Sequence, residues 1–522
     1  MADDAPPFGT SFAERPLSRA VIVTVLVASF MVASFAISSQ SYWIEEAFSL
    51  IVATAGSPAE AWKYMHAVSG STLQMPFYQA YLYGWHKVFG GGEWAMRASN
   101  LPWFLFGQLA FLVLLRHRPR LALIACLLAA VSPILWMYLD ETRPYVMQYA
   151  GACWLAAAIV RLTSEEPSPS TTYAWLLIAA LGASIVVLFA SSLIGVIWAA
   201  AYMLALFFVL RGRADSEAAS MSRNVWLVLL FTLALLVGFT AYYVFTWSDA
   251  GRGYHHSGPS LLSLPFIAYE LLGFSGFGPG KIAMRAEPIA SVMRSIPALA
   301  PLAVILGLLG VYAARLCVKR ANCPRKAIVV WALALGLPLV AIFGAMFLFD
   351  HRPLPRHFIP ALPAVLLAIA ALVQSALQAR PLFWRSVAVA LPVLWLLSSL
   401  SFRWQPVHAK DNYREASAIA AAGLRENKEV WWAADPAAAY IYFTPIALEK
   451  VPGRAWAMQA PSWNDIRFKF PPRVIVISKP DIYDPQGAVA RYAAENRFVV
   501  ARQLQAFTIF TREGDDLPAA NP

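Results

Sequence analysis

Long apolar runs joined by short polar stretches dominate this chain up to about residue 402. They fall near residues 20–38, 95–115, 121–138, 145–162, 173–190, 192–210, 225–246, 296–315, 327–349, 358–378 and 386–402. Runs of this length can cross the hydrocarbon core of a bilayer as helices. The pattern predicts a polytopic α-helical membrane protein of about eleven transmembrane helices. About nineteen residues precede the first run and no clean small-x-small cleavage site follows it, so a retained first helix is expected rather than a signal peptide.

The pattern changes after residue 403. "YREASAIAAAGL" has the spacing of an amphipathic helix, "EVWWAA" and "RVIVIS" of short buried strands, "GAVARYAAEN" of a helix, and "FVVARQLQ" with "AFTIFTR" of a final strand pair. Two units are therefore expected: residues 1–403, a transmembrane domain with long loops on one face (39–94, 139–145, 247–294 and 350–357), and residues 404–522, a soluble α/β domain. No glycine fingerprint for a nucleotide lies in the second unit. It is expected to help admit or orient an acceptor and to contribute no catalytic residue.

Within the first long loop, "PFYQAYLYGWHKVFG" places Phe77, Tyr81, Trp85 and Phe89 on one helical face, as interfacial helices do. The stretch "GFSGFGPG" in the 247–294 loop reads as a hinge or lid, with no helix start directly after it.

Composition agrees with the membrane reading: 59% of the 522 residues are hydrophobic and 14% charged. The net charge of +11 does not call for nucleic acid, because the basic residues cluster in short joints between runs. Arg15, Arg19, Arg116, Arg118, Arg120, Arg211, Arg213, Arg223, Arg315, Lys319, Arg320, Arg325, Lys326, Arg380 and Arg385 all fall on one side if eleven spans alternate. The positive-inside rule makes that side the cytoplasm. The N-terminus is then cytoplasmic and residues 404–522 periplasmic. The four cysteines, Cys126, Cys153, Cys317 and Cys323, form neither a disulfide framework nor a zinc pattern.

Polar clusters gather on the other face. Glu45 and Glu46 follow the first span, "YLDETRPY" brings Asp140, Glu141, Arg143 and Tyr145, and "DHRPLPRH" brings Arg352, Arg356 and His357. Arginines suit a phosphate, which they grip in a fixed fork, and a carboxylate suits the removal of a hydroxyl proton. His255-His256 sit side by side in a loop, poorly spaced to share one metal.

Taken together these segments resemble the C-type membrane glycosyltransferases of the protein O-mannosyltransferase and aminoarabinose lipid A transferase group. The matching order here is Glu45-Glu46, then Gln74-Met75-Pro76-Phe77-Tyr78, then Gly92-Glu93 with Arg97, then Glu141-Thr142-Arg143-Pro144-Tyr145, with "RPLPRHFIPALP" entering a late span. The likeness runs over about residues 20–400. Glu45 stands where that group has aspartate, Gln74 where it has histidine, and Met75 where it has proline.

The resemblance implies inverting transfer of a sugar from a polyprenyl-phosphate donor to a lipid A, polysaccharide, glycolipid or protein acceptor, at the outer face of a bacterial inner membrane. It implies Glu45, Glu46 and Glu141 as catalytic carboxylates, with Glu45 the base. Arg143, Arg356 and Tyr145 would hold the donor phosphate, and Gln74, Tyr78, Asp140 and His357 the acceptor or sugar. No cofactor is required, and a divalent metal is left open. A transporter of lipid-linked sugar is the rival class. It would show internal repeats and charged residues in mid-span, and the chain shows no repeat. An inactive scaffold is the third alternative.

Overall fold

The computed structural model describes residues 15–68, 70–164, 171–211, 219–250, 260–319, 325–349, 352–462 and 465–517. His255 and His256, Asp350 and Cys323 lie outside the described residues.

Helix α1 (Arg19–Ala36) starts where the Ser18 side chain accepts the Val21 N–H. The first outer loop folds into α2 (Ile44–Ala53), α3 (Pro58–Val68), α4 (Pro76–Phe89) and α5 (Glu93–Arg97). The aromatic row on α4 forms as expected, with Tyr81 and Trp85 rings 6.0 Å apart and Trp85 and Phe89 rings 4.1 Å apart.

Helix α6 (Asn100–Leu114) leads to a bent pair, α7 (Pro119–Ala130) and α8 (Pro133–Leu139), which meet at 57°. The break follows from Pro133, whose ring keeps Ser132 out of helical geometry (ψ 120°). Helix α9 (Tyr145–Leu162) is the most enclosed of the long helices. It packs against α6, where Gly107 meets Tyr149 and Cys153, and against α10 (Thr171–Ser191), where Gly151 meets Ser184 and Leu188; small residues let helices approach closely.

Then come α11 (Leu193–Arg211), α12 (Ala219–Phe245), the short α13 (Trp247–Ala250), α14 (Ser263–Leu271) and α15 (Lys281–Ala286), followed by α16 (Pro288–Lys319). Helices α17 (Arg325–Trp331) and α18 (Leu337–Leu348) join through a π-helical turn, Ala332–Gly336. A 3₁₀ segment, Pro355–Ala361, enters α19 (Leu362–Leu377), and α20 (Leu382–Trp404) ends the bundle.

Among the described residues, eight helices are long and apolar enough to cross a membrane, nine if the bent pair is one span; the protein is an integral membrane protein. The difference from about eleven lies in α6, only 15 residues long, and in α10, a 21-residue helix described in full only over Ile178–Ser191.

The "GFSGFGPG" stretch departs from its expected role as a hinge or lid. Two of its glycines are packed against α20: a Cβ on Gly276 would sit 1.8 Å from the Ser398 carbonyl oxygen, and one on Gly273, at φ +86°, 2.7 Å from Trp395 Nε1. Ser398 and Ser401 donate to the Gly273 and Gly276 carbonyls. Glycine is needed here for close approach. A helix, α15, also begins directly after Gly280, contrary to expectation.

The C-terminal unit is a helix, α21 (Tyr413–Arg425), on a six-stranded sheet. The strands are β1 (Val430–Ala433), β2 (Ile446–Ala447), β3 (Ala455–Ala457), β4 (Val474–Ser478), β5 (Phe498–Gln503) and β6 (Phe507–Arg512), in the order β2-β3-β1-β4-β6-β5. The first four in that order pair in parallel, and β6 pairs antiparallel with both β4 and β5, with Trp431 opposite Ile475 and Val476 opposite Ile509. Three further short helices, α22 (Pro436–Ile441), α23 (Pro480–Tyr483) and α24 (Ala488–Glu495), complete the unit.

Candidate active site at the helix ends

Glu45 and Glu46 lie in the first turn of α2, just after Trp43 at its N-cap. That turn favours carboxylates, because its free N–H groups carry partial positive charge. Successive helical residues point about 100° apart, so the two side chains meet different surroundings.

Glu46 turns inward. Its side chain and that of Arg97 are both 0% exposed. The guanidinium grips the carboxylate with two bonds, Nε to Oε1 and Nη2 to Oε2, each 2.9 Å. The Thr142 N–H donates at 2.9 Å, Lys410 Nζ at 3.0 Å, and the Trp43 N–H at 3.3 Å. Burial pushes the Glu46 carboxyl up, but Arg97 and Lys410 outweigh it and hold it well below the usual range. Asp140 is part of the same cluster. It accepts from the Ser38 N–H at 2.6 Å, the Ser38 hydroxyl at 3.0 Å and Arg403 at 3.0 Å.

Glu45 turns to the other side and keeps 25% of its side chain exposed. Arg356, delivered by the 3₁₀ segment, donates to both carboxylate oxygens at 2.7 and 2.6 Å. Arg143 also approaches, its Nε 4.0 Å from Glu45 Oε2. It is held there by Ser49 and Ser71 hydroxyls at 3.2 and 2.9 Å and by the Glu45 carbonyl at 3.4 Å. Burial raises the Glu45 carboxyl, yet Arg356 and Arg143 together bring it below its ordinary value.

The Tyr145 ring lies 4.6 Å from that of Tyr138, tilted by 60°, and sits in the field of Arg356, Arg143 and Glu45. Glu141 is buried and accepts from Lys281 Nζ at 3.0 Å. Lys281, the first residue of α15, also sits 4.3 Å over the Trp43 ring. Glu270, at the end of α14, is half-buried nearby; burial pushes it up to about 7, against Lys281 and with Glu141.

The structure thus gathers Glu45, Arg143, Tyr145, Arg356 and Glu141 in one partly open site and places Glu46 and Asp140 in a sealed cluster behind it. Tyr78 is buried near Arg143 and Tyr81. Gln74 is half-buried, and its carbonyl accepts the Leu193 N–H at 3.0 Å. His357 Nδ1 accepts the Leu354 N–H at 3.2 Å and its carbonyl accepts from Trp198 Nε1 at 2.8 Å, so it shapes the turn that presents Arg356.

Lys281, Glu270, Lys410, Arg403, Ser49 and Ser71 were not singled out from the sequence. Each acquires its meaning from a partner distant in the chain. None carried a local signal, and the helix that begins at Lys281 was itself not expected. Among the described residues no group of three or more His, Cys, Asp and Glu side chains is assembled that could hold a metal ion.

No protein-family model matches the chain, and no curated protein matches it in sequence. Among solved structures it is similar to ArnT from Cupriavidus metallidurans in the apo state, over 94% of this chain and 97% of that one, with a TM-score of 0.53 and 12% identity. ArnT from Cupriavidus metallidurans bound to undecaprenyl phosphate is similar over 95% of this chain and 99% of that one, with a TM-score of 0.52 and 14% identity. The chain has an ArnT-like fold, the fold expected from the order of its carboxylate and arginine segments.

Proposed function

We propose that the protein is a glycosyltransferase that moves a sugar from a polyprenyl-phosphate carrier to an acceptor hydroxyl at the outer face of the bacterial inner membrane, with inversion at the anomeric carbon. The observation that carries this reading is the convergence of two guanidinium groups, Arg356 and Arg143, on one partly exposed carboxylate, Glu45. Two cations against one anion make a site that attracts a further anion. It lies at the ends of apolar helices, where a lipid-anchored phosphate presents its head while its tail stays in hydrocarbon. The likeness to an ArnT structure bound to undecaprenyl phosphate supports a carrier of this chemistry.

The chemistry follows from the pairing. A donor phosphate competes with Glu45 for Arg356 and Arg143, since carboxylate and phosphate use the same guanidinium fork. As those groups turn to the phosphate, Glu45 loses the partners that depress its basicity while its partial burial remains. It then takes the acceptor hydroxyl proton. The acceptor oxygen bonds to C1 and the C1–O bond to phosphate breaks. The electron pair goes to the phosphate oxygen, where the two arginines stabilise the growing charge. Tyr145 adds a hydroxyl to that phosphate cradle, and Glu141 holds Lys281 at the rim. Gln74 and Tyr78 line the acceptor side. Asp140 and His357, with their polar atoms engaged in loop contacts, fit positioning roles. The acceptor is a lipid A, polysaccharide, glycolipid or protein hydroxyl.

Mass spectrometry of lipid and glycan fractions from cells with and without the gene tests the proposal. A sugar mass increment missing from one fraction is expected. Unchanged masses, with purified protein that neither binds polyprenyl phosphate nor consumes its glycosylated form, would refute it.

A further inference from the structure

The segment that carries Glu45 is held from above by the C-terminal unit. The Lys410 N–H donates to Gln40 Oε1 at 2.7 Å, and the Ser41 hydroxyl donates to the Asp411 carbonyl. The Tyr42 N–H donates to the Tyr442 hydroxyl at 2.7 Å, which in turn donates to Glu93 at 3.0 Å. Arg414 reaches the same Glu93 oxygen at 2.9 Å. Ala47, one residue beyond Glu46, is 0% exposed and belongs to the hydrophobic core that also contains Tyr413, Ala416 and Ala439 of the C-terminal unit. The first turn of α2 is therefore shared between the two units.

Lys410 stands out within this clamp. Its ammonium lies 3.0 Å from Glu46 Oε2 and 3.8 Å from Asp140 Oδ2, and also donates to the Asp140 carbonyl. Yet the cluster balances without it: Arg97 pairs with Glu46, and Arg403 with Asp140. Lys410 is a third cation beside two anions, and burial together with Arg97 lowers its affinity for a proton. Charge neutrality does not explain a lysine here. Geometry does: Glu46 and Glu45 share one turn of helix, so a bond that fixes the rotation of Glu46 also fixes the direction of Glu45.

We propose that Lys410 is a positioning residue which, through Glu46, sets the orientation of the first turn of α2 and so aligns Glu45 with Arg356 and the reacting hydroxyl. The C-terminal unit thereby acts on the reaction without touching substrate. This rests on the reading of Glu45 as the base. A displacement of about 1 Å at a reacting group costs on the order of a hundredfold in rate, so a small rotation of α2 is enough to matter.

The test uses the full-length protein in lipid nanodiscs, as Lys410→Met, Lys410→Arg and Tyr442→Phe. The readouts are turnover, donor KM, thermal midpoint and backbone hydrogen exchange over residues 42–50. Lys410→Met is expected to lower kcat by about tenfold or more, to leave donor KM and the thermal midpoint near those of the parent, and to speed exchange over that segment. Lys410→Arg is expected to restore most of the rate. Tyr442→Phe, which removes one oxygen from the same clamp, is expected to speed exchange in the same segment and decides the matter if Lys410→Met does not fold. Parental kcat and exchange in Lys410→Met overturn the proposal, as does a rate loss that only tracks lost stability and is not restored by arginine. If the parent itself transfers no sugar, the glycosyltransferase reading fails, while the exchange readout still decides whether Lys410 fixes α2.

Discussion

Glu45 and Glu46 are neighbours in the chain with opposite fates, and their amide variants are expected to separate them. Glu45→Gln keeps the shape and loses the proposed base, so transfer should fall by about a hundredfold to ten-thousandfold with little change in thermal midpoint, while donor binding tightens because Arg356 and Arg143 lose the competing carboxylate. Glu46→Gln strips a sealed fork of its charge and leaves Arg97 and Lys410 uncompensated, which typically costs about 3–5 kcal/mol; it should lower the thermal midpoint first. Side-by-side turnover and thermal unfolding check both, and a stable, active Glu46→Gln would break the assignment. Glu270 adds a pH dependence. Its carboxyl titrates at about 7 in the fold, above its ordinary 4.5, and it faces Lys281, Glu141, Arg356, Tyr138 and Tyr269. Between those two pH values the unfolded chain has released this proton and the folded one retains it. Stability therefore falls as pH rises from 4.5 to 7 and levels off above. Glu270→Gln should exceed the parent in stability at pH 8, by on the order of 1–3 kcal/mol, and match it at pH 4; an equal gain at both would reject the titration.

At the scale of elements, glycines test the packing. Gly276→Ala would drive a Cβ to 1.8 Å from the Ser398 carbonyl, so α20 or the loop must move, and a loss of about 1–3 kcal/mol or more is expected. Gly84 lies exposed in α4 with nothing within 4 Å of its Cβ position, so Gly84→Ala should gain about 0.5–1 kcal/mol from better helix propensity. Thermal melts of both variants check the pair; a harmless Gly276→Ala would restore the hinge reading. The contrast shows where elements were legible. Apolar runs marked the long helices because length alone identifies them, and alternating or buried β-branched runs marked β1, β4, β5 and β6. Strands β2 and β3, two and three residues long, hold too few positions to carry a period. The glycine-rich stretch misled because glycine serves flexibility and close approach alike, and only the position of Ser398, more than a hundred residues on, tells them apart.

For the whole molecule, the site is an assembly of distant pieces. Arg356 meets Glu45 across 311 residues, and Lys410 meets Glu46 across 364. The first pairing was within reach of the sequence, because carboxylates and arginines fall in loops on one predicted face in a familiar order. The second was not, since a lysine in a soluble unit carries no mark of a buried partner. The same assembly sharpens the expected orientation. Ser38 meets Asp140, Arg356 meets Glu45 and Lys410 meets Glu46, so the ends of α1, α8 and α20 and the start of α19 share one face. At the other end of α1, the Leu17 N–H donates to the Arg116 carbonyl at 3.0 Å, beside Arg118 at the N-cap of α7 and Arg120 in its first turn. Arginine-rich short joints stay in the cytoplasm, which supports the proposal that Glu45 and the C-terminal unit lie outside. Alkaline phosphatase fused after Pro522 should therefore be active in cells, and green fluorescent protein at the same place dark. Replacing Arg116, Arg118 and Arg120 by glutamine should weaken this bias and reduce the phosphatase signal, because the joint after the second predicted span loses its retaining charge. A fusion that fluoresces in the cytoplasm would turn the site inward, where a donor delivered to the outer leaflet could not reach Glu45.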